Sequence, residues 1–180
     1  MLSAACSQKV TALSTVAPAA EPPRRHATAR CPAAGLRSKH VNVAPADFER
    51  DYAAIRAVRF AVFVDEQKIP RELEMDERDA ECSHWLATNE RGEPIGTVRF
   101  DLRARGKVGR LAVLARERRG GVGRALMEHV HDLARERGLA SVWCHAQVSA
   151  VPFYLRLGYR IASESFEEAG IEHVRMEYDL

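Results

Sequence analysis

The sequence predicts an α+β fold, in which a mixed and mostly antiparallel sheet carries helices on both faces. Short apolar segments separated by turn residues occupy the middle of the chain, a pattern typical of neighbouring antiparallel strands. Two helical segments then alternate with further apolar segments, which indicates a layered arrangement. The chain has 180 residues, enough for one domain with its own core and too few for two typical ones.

The first strand is expected at Lys39–Ala44, and Asp47 can then cap a helix whose apolar positions run from Phe48 to Phe63. Residues 65–83 are acidic, non-periodic and interrupted by Pro70, so we expect a long loop there. Two further strands flank the turn Asn-Glu-Arg-Gly-Glu-Pro and form a hairpin; they are His84–Thr88 and Ile95–Leu102.

The second half of the chain continues with a strand at Lys107–Leu114. From Val122 the apolar residues follow a helical period up to Gly138, which suits a helix C-terminus. A buried strand is predicted next, at Ser141–Ala146. A short helix follows it, with Ser149 as N-cap, Pro152 in the first turn and Gly158 at the end.

Charge separates the N-terminal segment from the rest of the chain. Residues 1–46 hold six Lys or Arg and one acid, a balance of +5, which leaves 21 basic and 24 acidic residues, a balance of −3, in the remainder. Nucleic-acid binding by the folded part is therefore not favoured. Residues 1–38, rich in Ala, Ser, Thr, Pro and Arg, resemble an organelle transit peptide; a disordered extension or a mis-assigned start codon are the alternatives.

The folded domain is accordingly expected at residues 39–180, in a chloroplast or mitochondrion if the tail is a transit peptide and in the cytoplasm otherwise. No segment approaches the roughly 18 apolar residues of a membrane span, so no membrane partner is expected. The four cysteines lack metal-site spacing, and Cys144 reads as a packing residue. His129 and His131, two apart on a helix, are expected on the surface, and no metal site is predicted.

A basic, glycine-rich turn joins the strand Lys107–Leu114 to the helix that begins at Val122. The first N–H groups of a helix have no partner inside it and point outward, together with the positive end of the helix dipole. Glycines at this turn allow close approach of a ligand, and arginines can meet phosphate oxygens. The turn therefore predicts a phosphate site rather than a merely flexible basic turn, built from Arg118, Arg119, Gly120, Gly121, Val122, Gly123 and Arg124.

Two common phosphate motifs do not fit this turn. A P-loop requires Lys and then Ser or Thr directly after its glycines, and neither follows here. A dinucleotide fingerprint requires a small residue where Leu126 stands and an acid near the end of the next strand, where the chain has Ser141, Val142 and Trp143.

Arg118 to Gly123 instead resembles the coenzyme A pyrophosphate loop of the GNAT superfamily of acyl-CoA N-acyltransferases, whose pattern is Arg or Gln, two residues, Gly, one residue, Gly or Ala. A second GNAT signature is similar to the short helix that carries Phe153-Tyr154 and closes with Leu157-Gly158-Tyr159. The segments Val58–Gln67 and Gly170–Met176 resemble the ElaA-like branch, with similarity over roughly Asp47 to Leu180.

The resemblance implies acetyl transfer from acetyl-CoA, as co-substrate, to an amine by direct attack on the thioester, without a metal or a covalent enzyme intermediate. Tyr154 would be the general acid at the departing sulfur; the alternative is that it only packs beside Phe153 and Leu157. The coenzyme would be held by the phosphate site above and, through backbone groups facing the pantetheine arm, by Leu111, Ala112 and Val113.

The acceptor side is less defined. Candidate acceptor-binding residues lie in the ElaA-like segments, and they are Glu66, Asp76, Asp79, His84 and His173. The acids between residues 65 and 81 could attract a cationic amine or form a solvated loop. The acceptor is expected to be a small-molecule or peptide amine, and the protein a monomer or homodimer. A non-catalytic acyl-CoA-binding sensor or partner subunit is the alternative function, since it would need the glycine loop but not Tyr154.

Overall fold

A computed structural model describes residues 41–180, so the extension predicted at residues 1–38 lies outside the described residues. The strands are β1 (Asn42–Ala46), β2 (Ser83–Thr88), β3 (Pro94–Asp101), β4 (Lys107–Val113), β5 (Ser141–Gln147), β6 (Arg160–Ile161), β7 (Phe166–Glu168) and β8 (Ile171–Asp179). The helices are α1 (Tyr52–Arg59), α2 (Arg71–Glu74), α3 (Val122–Glu136) and α4 (Val151–Arg156).

Within the described residues the strands form one eight-stranded sheet in the order β1-β2-β3-β4-β5-β8-β6, with β7 paired to β8. Only the contact between β4 and β5 is parallel; the other pairs are antiparallel. The predicted mixed, mostly antiparallel sheet is therefore confirmed.

Helices pack on both faces of this sheet. The larger core lies under α3, whose apolar stripe meets buried side chains of β2 to β5 and β8. The smaller core lies under α1 on the opposite face, where Val58, Val62 and Phe63 pack around Ala112 of β4. The residues contributed by α3 to the larger core are Val122, Leu126, Met127, Val130 and Ala134.

Helix α1 does not end at Arg59 but continues as a π-helical segment, Phe60–Glu66. Its wider turns appear in bonds that span five residues, such as Gln67 N to Val62 O at 3.1 Å. The segment keeps Val62 and Phe63 buried and brings Glu66 and Gln67 toward the middle of the sheet.

The long loop predicted at residues 65–83 is wrong in part, because it contains α2 and the 3₁₀ turn Glu77–Glu81. Two of its acids, Glu74 and Asp79, are buried at 2% and 0% exposure. They fold inward because arginines from α1 and the sheet lie beneath them, and an acidic segment could not be buried without such partners.

Two local predictions are corrected. Helix α4 is capped by Ala150 and not by Ser149, which lies in a preceding 3₁₀ turn, although Pro152 is in the first turn as predicted. His131 is buried, because its ring stacks on Tyr178 at 4.4 Å and its Nε2 meets the Tyr159 hydroxyl at 2.9 Å; the surface position predicted for it is wrong.

No helix among residues 41–180 is long and apolar enough to cross a membrane. In the same part of the chain, no group of three or more His, Cys, Asp or Glu side chains is arranged to hold a metal ion.

Candidate active site

Strand β4 contains a β-bulge at Arg110. Its register with β3 pairs Thr97 with Ala112 but Arg99 with Gly109, so β4 has one residue more than β3 over this interval. Arg110 takes the left-handed conformation, with φ of 52°. Because of the extra residue, Val108 packs under α3 while Ala112 packs under α1.

Strands β4 and β5 separate at the bulge. Their parallel pairing comprises Lys107 with Trp143 and Val108 with Cys144, and none is present beyond these pairs in the described residues. The later parts of the two strands border a space that we call the β4–β5 cleft. A sheet opened in this way presents backbone groups that are free to bind an extended ligand.

The backbone direction in β4 shows which groups face this cleft. Leu114 donates its N–H to Ile95 O of β3 at 3.0 Å. Because antiparallel strands alternate between groups facing the partner and groups facing away, Val113 and Leu111 turn their N–H and C=O toward the cleft. Ala112 faces β3 instead, so the backbone role predicted for these three residues fits two of them by geometry.

The glycine loop lies between the end of β4 and the first residue of α3. Gly121 is the N-cap of α3, with φ of 88°, and Arg119 has φ of 64°. No side chain caps the first N–H groups of α3. An added Cβ on Gly121 would meet no atom within 4 Å, so the approach to the helix N-terminus is open.

Gly123 has a different role from the one suggested by its place in the motif. A Cβ at this position would lie 3.2 Å from the ring of Phe153 on α4. This glycine therefore allows α3 and α4 to pack closely, and through that contact it fixes the position of α4 beside the loop.

The three arginines of the loop differ in their surroundings. Arg119 and Arg124 are exposed, and Arg124 reaches the Arg156 carbonyl only at 3.5 Å. Arg118 instead donates to both carboxylate oxygens of Glu66 at 2.7 and 2.6 Å, and its Nε donates to Val113 O at 2.9 Å. The hydrogen bond from Arg118 lowers the pKa of Glu66, which is therefore ionised at neutral pH.

Tyr154 lies where the pairing of β4 with β5 stops. It is 7% exposed, and its hydroxyl interacts with the thiol of Cys144, the last β5 residue paired to β4. Burial, followed by the neighbouring Cys144 and Tyr159, holds the pKa of Tyr154 well above its usual value. The phenol stays protonated at neutral pH and can donate a hydrogen bond at the inner end of the cleft.

Two of the candidate acceptor residues, the buried Asp79 and the exposed Asp76, belong to an arginine–carboxylate cluster. Asp79 accepts from Arg59 at 2.7 Å and from Arg99 at 2.9 Å, and Asp76 accepts from Arg99 at 2.8 Å. Arg59 also donates to Glu74 at 2.5 Å, and Arg110 meets Asp76 at 3.2 Å. The cluster, which we define as Arg59, Arg99, Arg110, Glu74, Asp76 and Asp79, fastens the segment after α1 to the sheet.

This cluster leaves little room for an amine. Burial alone would raise the pKa of Asp79, but the hydrogen bond and charge of Arg59, with further help from Arg99, lower it. His84 is buried as well, with Nε2 2.8 Å from Asp79 O and its ring stacked on Phe48. The geometry gives Asp79 and His84 a role in holding the fold.

The structure brings the remaining candidate, His173, to another surface. Its Nδ1 is 2.8 Å from Ile171 O, and its ring stacks on Phe166 with centroids 6.2 Å apart. The same surface carries His145 of β5, which contacts Glu168 of β7 at 2.7 Å. The pair of His145 and Glu168 was not identified from the sequence. The alternating pattern of β5 could have indicated that His145 lies on the face opposite to the buried Cys144.

An open cavity of about 800 Å³ lies on the other side of the glycine loop. It is lined by the turn between β2 and β3 and by residues of the segment 116–122, and no residue of β5 or α4 lines it. It does not reach Tyr154, so the predicted catalytic residue lies at the β4–β5 cleft and not in this cavity.

Comparison with known proteins agrees with this arrangement. Residues 48–180 match the family model of the acetyltransferase (GNAT) domain. A Bacillus subtilis protein named "Uncharacterized N-acetyltransferase YjcF" is 39% identical over 124 residues, which cover 68% of this chain and 88% of that protein.

Solved structures show the same fold. An acyl-CoA N-acyltransferase from Pseudomonas aeruginosa is 26% identical to this chain and superposes with a TM-score of 0.67. The match covers 77% of this chain and 99% of the Pseudomonas chain. Escherichia coli ElaA, at 23% identity and a TM-score of 0.68, covers 78% of this chain and 100% of its own. The chain belongs to the GNAT acetyltransferase family.

Proposed function

We propose that this protein is an acetyl-CoA-dependent N-acetyltransferase that moves the acetyl group to an amine by direct attack on the thioester. The observation that carries the proposal is the β4–β5 cleft, which has the glycine loop at the end of one strand and Tyr154 beside the other. This arrangement places a candidate phosphate-binding element and a candidate proton donor at the same cleft.

The chain's own groups fit coenzyme A. The uncapped N-terminus of α3, open above Gly121, can receive the pyrophosphate, and the exposed Arg119 and Arg124 add positive charge there. The C=O of Leu111 and the N–H of Val113, whose own C=O accepts from Arg118, can pair with the amide groups of a pantetheine arm, as in the addition of a peptide to a sheet edge.

Acetyl-CoA supplies the activated acyl group when it is bound. The N–H of Leu111, the cleft-facing residue nearer the inner end, can stabilise the oxyanion that develops when an amine attacks. The protonated hydroxyl of Tyr154 can then donate to the leaving sulfur. Both groups are fixed by the sheet and by α4, so little reorganisation is needed during the reaction.

A non-catalytic acyl-CoA sensor is the second candidate. It would need the glycine loop and the cleft but no proton donor at the inner end. The position of Tyr154 therefore favours the enzyme, because a buried phenol beside a thiol would be an unneeded cost in a pure binding module.

Thermal unfolding of the full chain with and without acetyl-CoA, followed by a thiol-release assay over small amines, polyamines and peptides, tests the proposal. We expect a concentration-dependent rise in Tm and thiol release with at least one amine. A rise in Tm with no thiol release from any acceptor would identify a sensor. No rise in Tm would contradict both functions.

Gly121→Glu, with Gly121→Ala as its control, tests the glycine loop. Both variants strain the backbone equally at positive φ, but only glutamate adds a negative charge next to the pyrophosphate. We expect the Glu variant to lose the acetyl-CoA shift and the Ala variant to keep most of it. Equal shifts would mean that the loop does not bind the coenzyme.

The composition of the N-terminal segment supports an organellar location, and the proposal extends to import of the protein into a chloroplast or mitochondrion. A fusion of residues 1–46 to a fluorescent protein should then accumulate in one of these organelles. Diffuse fluorescence in the cytoplasm would contradict import.

A further inference from the structure

The side of β5 that faces away from Cys144 carries polar groups. Val142, Cys144 and Ala146 enter the larger core, so the alternating residues Trp143, His145 and Gln147 lie on the opposite face. Gln147 confirms this direction, because its amide donates to Gln67 after the π-helical segment at 2.7 Å. His145 therefore stands on the α1 face of the sheet.

The hairpin of β7 and β8 places Glu168 against this histidine. Its turn consists of Ala169 and Gly170, both at positive φ, 53° and 75°, as required for a type I′ turn. The turn and the pairing of Glu168 with Ile171 bring the carboxylate to His145, where Oε2 lies 2.7 Å from Nδ1.

This contact determines which nitrogen of His145 is available. A carboxylate accepts hydrogen bonds, so Nδ1 carries the proton and donates to Glu168. In the neutral ring Nε2 is then the basic atom. Among residues 41–180, the hydrogen bond of His145 is made by Nδ1, and its Nε2 has no partner in the protein.

The ring of His145 is held in place and remains accessible. The Phe166 ring meets it edge-on at 4.8 Å, and the Trp143 ring lies 5.3 Å away on the other side. The side chain is 28% exposed, unlike the buried His84 and His131. An aromatic wall with one open nitrogen is suited to receiving a proton from a bound amine.

We propose that His145 is the general base that accepts the proton of the acceptor amine, and that Glu168 is the residue that positions it. This inference rests on the proposed acetyltransferase function. It places the acid and the base at neighbouring positions of one strand, since Tyr154 contacts Cys144 on the α3 face and His145 projects from the α1 face. The acceptor amine therefore enters the β4–β5 cleft from the side of α1.

The proton transfers balance. The amine nitrogen forms a bond to the carbonyl carbon of the thioester and loses a proton to Nε2 of His145. The C–S bond then breaks, and the Tyr154 hydroxyl gives its proton to the sulfur. The imidazolium returns its proton through solvent to the phenolate, which leaves an amide, a free thiol and the starting enzyme.

The groups that face Glu168 affect its titration. Burial would raise the pKa of Glu168, but the hydrogen bond from His145, with the charges of His145, Lys107 and His173, lowers it. Lys107 and Arg175 lie over the neighbouring Trp143 ring at 5.1 and 4.2 Å. Glu168 thus stays ionised near neutral pH and can hold the Nδ1 proton.

His145→Gln and Glu168→Gln test the inference in the full chain, with acetyl-CoA and the amine that gives the fastest thiol release. We expect His145→Gln to lower kcat/KM by roughly a hundredfold or more and to abolish the acid limb of its pH profile. The acetyl-CoA shift in Tm should stay unchanged. Glu168→Gln should give a smaller loss of kcat/KM, with the acid limb displaced.

Matched controls are His129→Gln on the exposed side of α3 and Glu167→Gln, the exposed neighbour of Glu168 on β7. Both should keep the rate and the pH profile of the unmodified protein. A His145→Gln variant with normal rate and profile, in a protein that does acetylate amines, would overturn the role of His145 alone. Failure of the unmodified protein to release thiol, despite binding acetyl-CoA, would instead overturn the proposed function.

NMR of the imidazole nitrogens gives a readout without turnover. The neutral ring of His145 should carry its proton on Nδ1, and Glu168→Gln should alter the nitrogen shifts of this ring more than Glu167→Gln does. A neutral ring protonated on Nε2 would overturn the proposal, because the basic nitrogen would then face Glu168.

Discussion

Arg118 and Glu66 form a two-point ion pair between residues that are 52 positions apart. The contact joins the glycine loop to the end of the π-helical segment. The Arg118 side chain is 40% exposed and the Glu66 side chain is 42% exposed. An arginine of the glycine loop is thus held by a carboxylate. If the loop binds the coenzyme as proposed, the pyrophosphate would compete with Glu66 for the same guanidinium.

Glu66→Gln should strengthen acetyl-CoA binding. Loss of the carboxylate charge frees Arg118 for the pyrophosphate, and an exposed pair of this kind is worth about 1 kcal/mol or less, equivalent to a few-fold decrease in Kd. Titration calorimetry measures the change, with Glu72→Gln on α2 as control. Weaker binding would mean that Glu66 prepares Arg118 for the coenzyme instead of competing with it.

Tyr154→Phe should lower kcat by about 10² or more, while the Kd of acetyl-CoA changes little. The variant removes only the hydroxyl beside Cys144 and leaves the ring in its packing against Phe153 and Tyr159. Tyr159→Phe, whose hydroxyl meets His131, is the control. Stopped-flow thiol release measures the step, and equal rates in the two variants would exclude Tyr154 as the acid.

Arg59→Met should destabilise the fold by about 3–5 kcal/mol, because it leaves Glu74 and Asp79 buried without their main partner. Urea unfolding measures the loss. Arg56→Met, on the exposed side of the same helix, should cost less than about 1 kcal/mol. A small loss for Arg59→Met would indicate that Glu74 takes up a proton, a response favoured by the burial that already raises its pKa.

As the pH falls from 6.5 to about 4, the His131→Gln variant should lose less of its free energy of unfolding than the unmodified protein does. Burial, with a contribution from Arg135, lowers the pKa of His131 from 6.5 to about 4. His131 therefore binds a proton less readily in the folded state than in the unfolded state. The stability that comes from keeping His131 neutral is complete above pH 6.5 and is lost as the pH falls toward 4.

This lowering of the pKa of His131 corresponds to roughly 3 kcal/mol of stability over that interval. Urea unfolding of His131→Gln and of His129→Gln at several pH values isolates it, because both variants keep the same carboxylates. Parallel pH curves for the two variants would contradict the assignment.

The strands β1 to β5, α3 and the glycine loop could be predicted because their signals are local. The change from strand period to helical period at Val122 and the glycines before it are properties of neighbouring residues. The ends of α3 and the hairpin turn between β2 and β3 follow from the same kind of local signal.

Other features depend on partners far away in sequence. Glu74 and Asp79 belong to an acidic segment that looks solvated until Arg59 and Arg99 are placed beneath it. His131 is buried only because Tyr159 and Tyr178 close over α3. The pair of His145 and Glu168 required the sheet order β5-β8-β7, which no short pattern in the sequence specifies.

The bulge at Arg110 has a consequence for how β4 can change in evolution. Arg110 holds its left-handed conformation with three contacts from its guanidinium to the backbone of Leu73 and Glu74 and to Asp76. Removing one residue from β4 there would restore its regular alternation against β3, and Val108 and Ala112 would then point to the same face. The two-faced packing of β4 is thus encoded by the number of residues in the strand, and a single-codon deletion would abolish it while every other residue of the proposed site was still present.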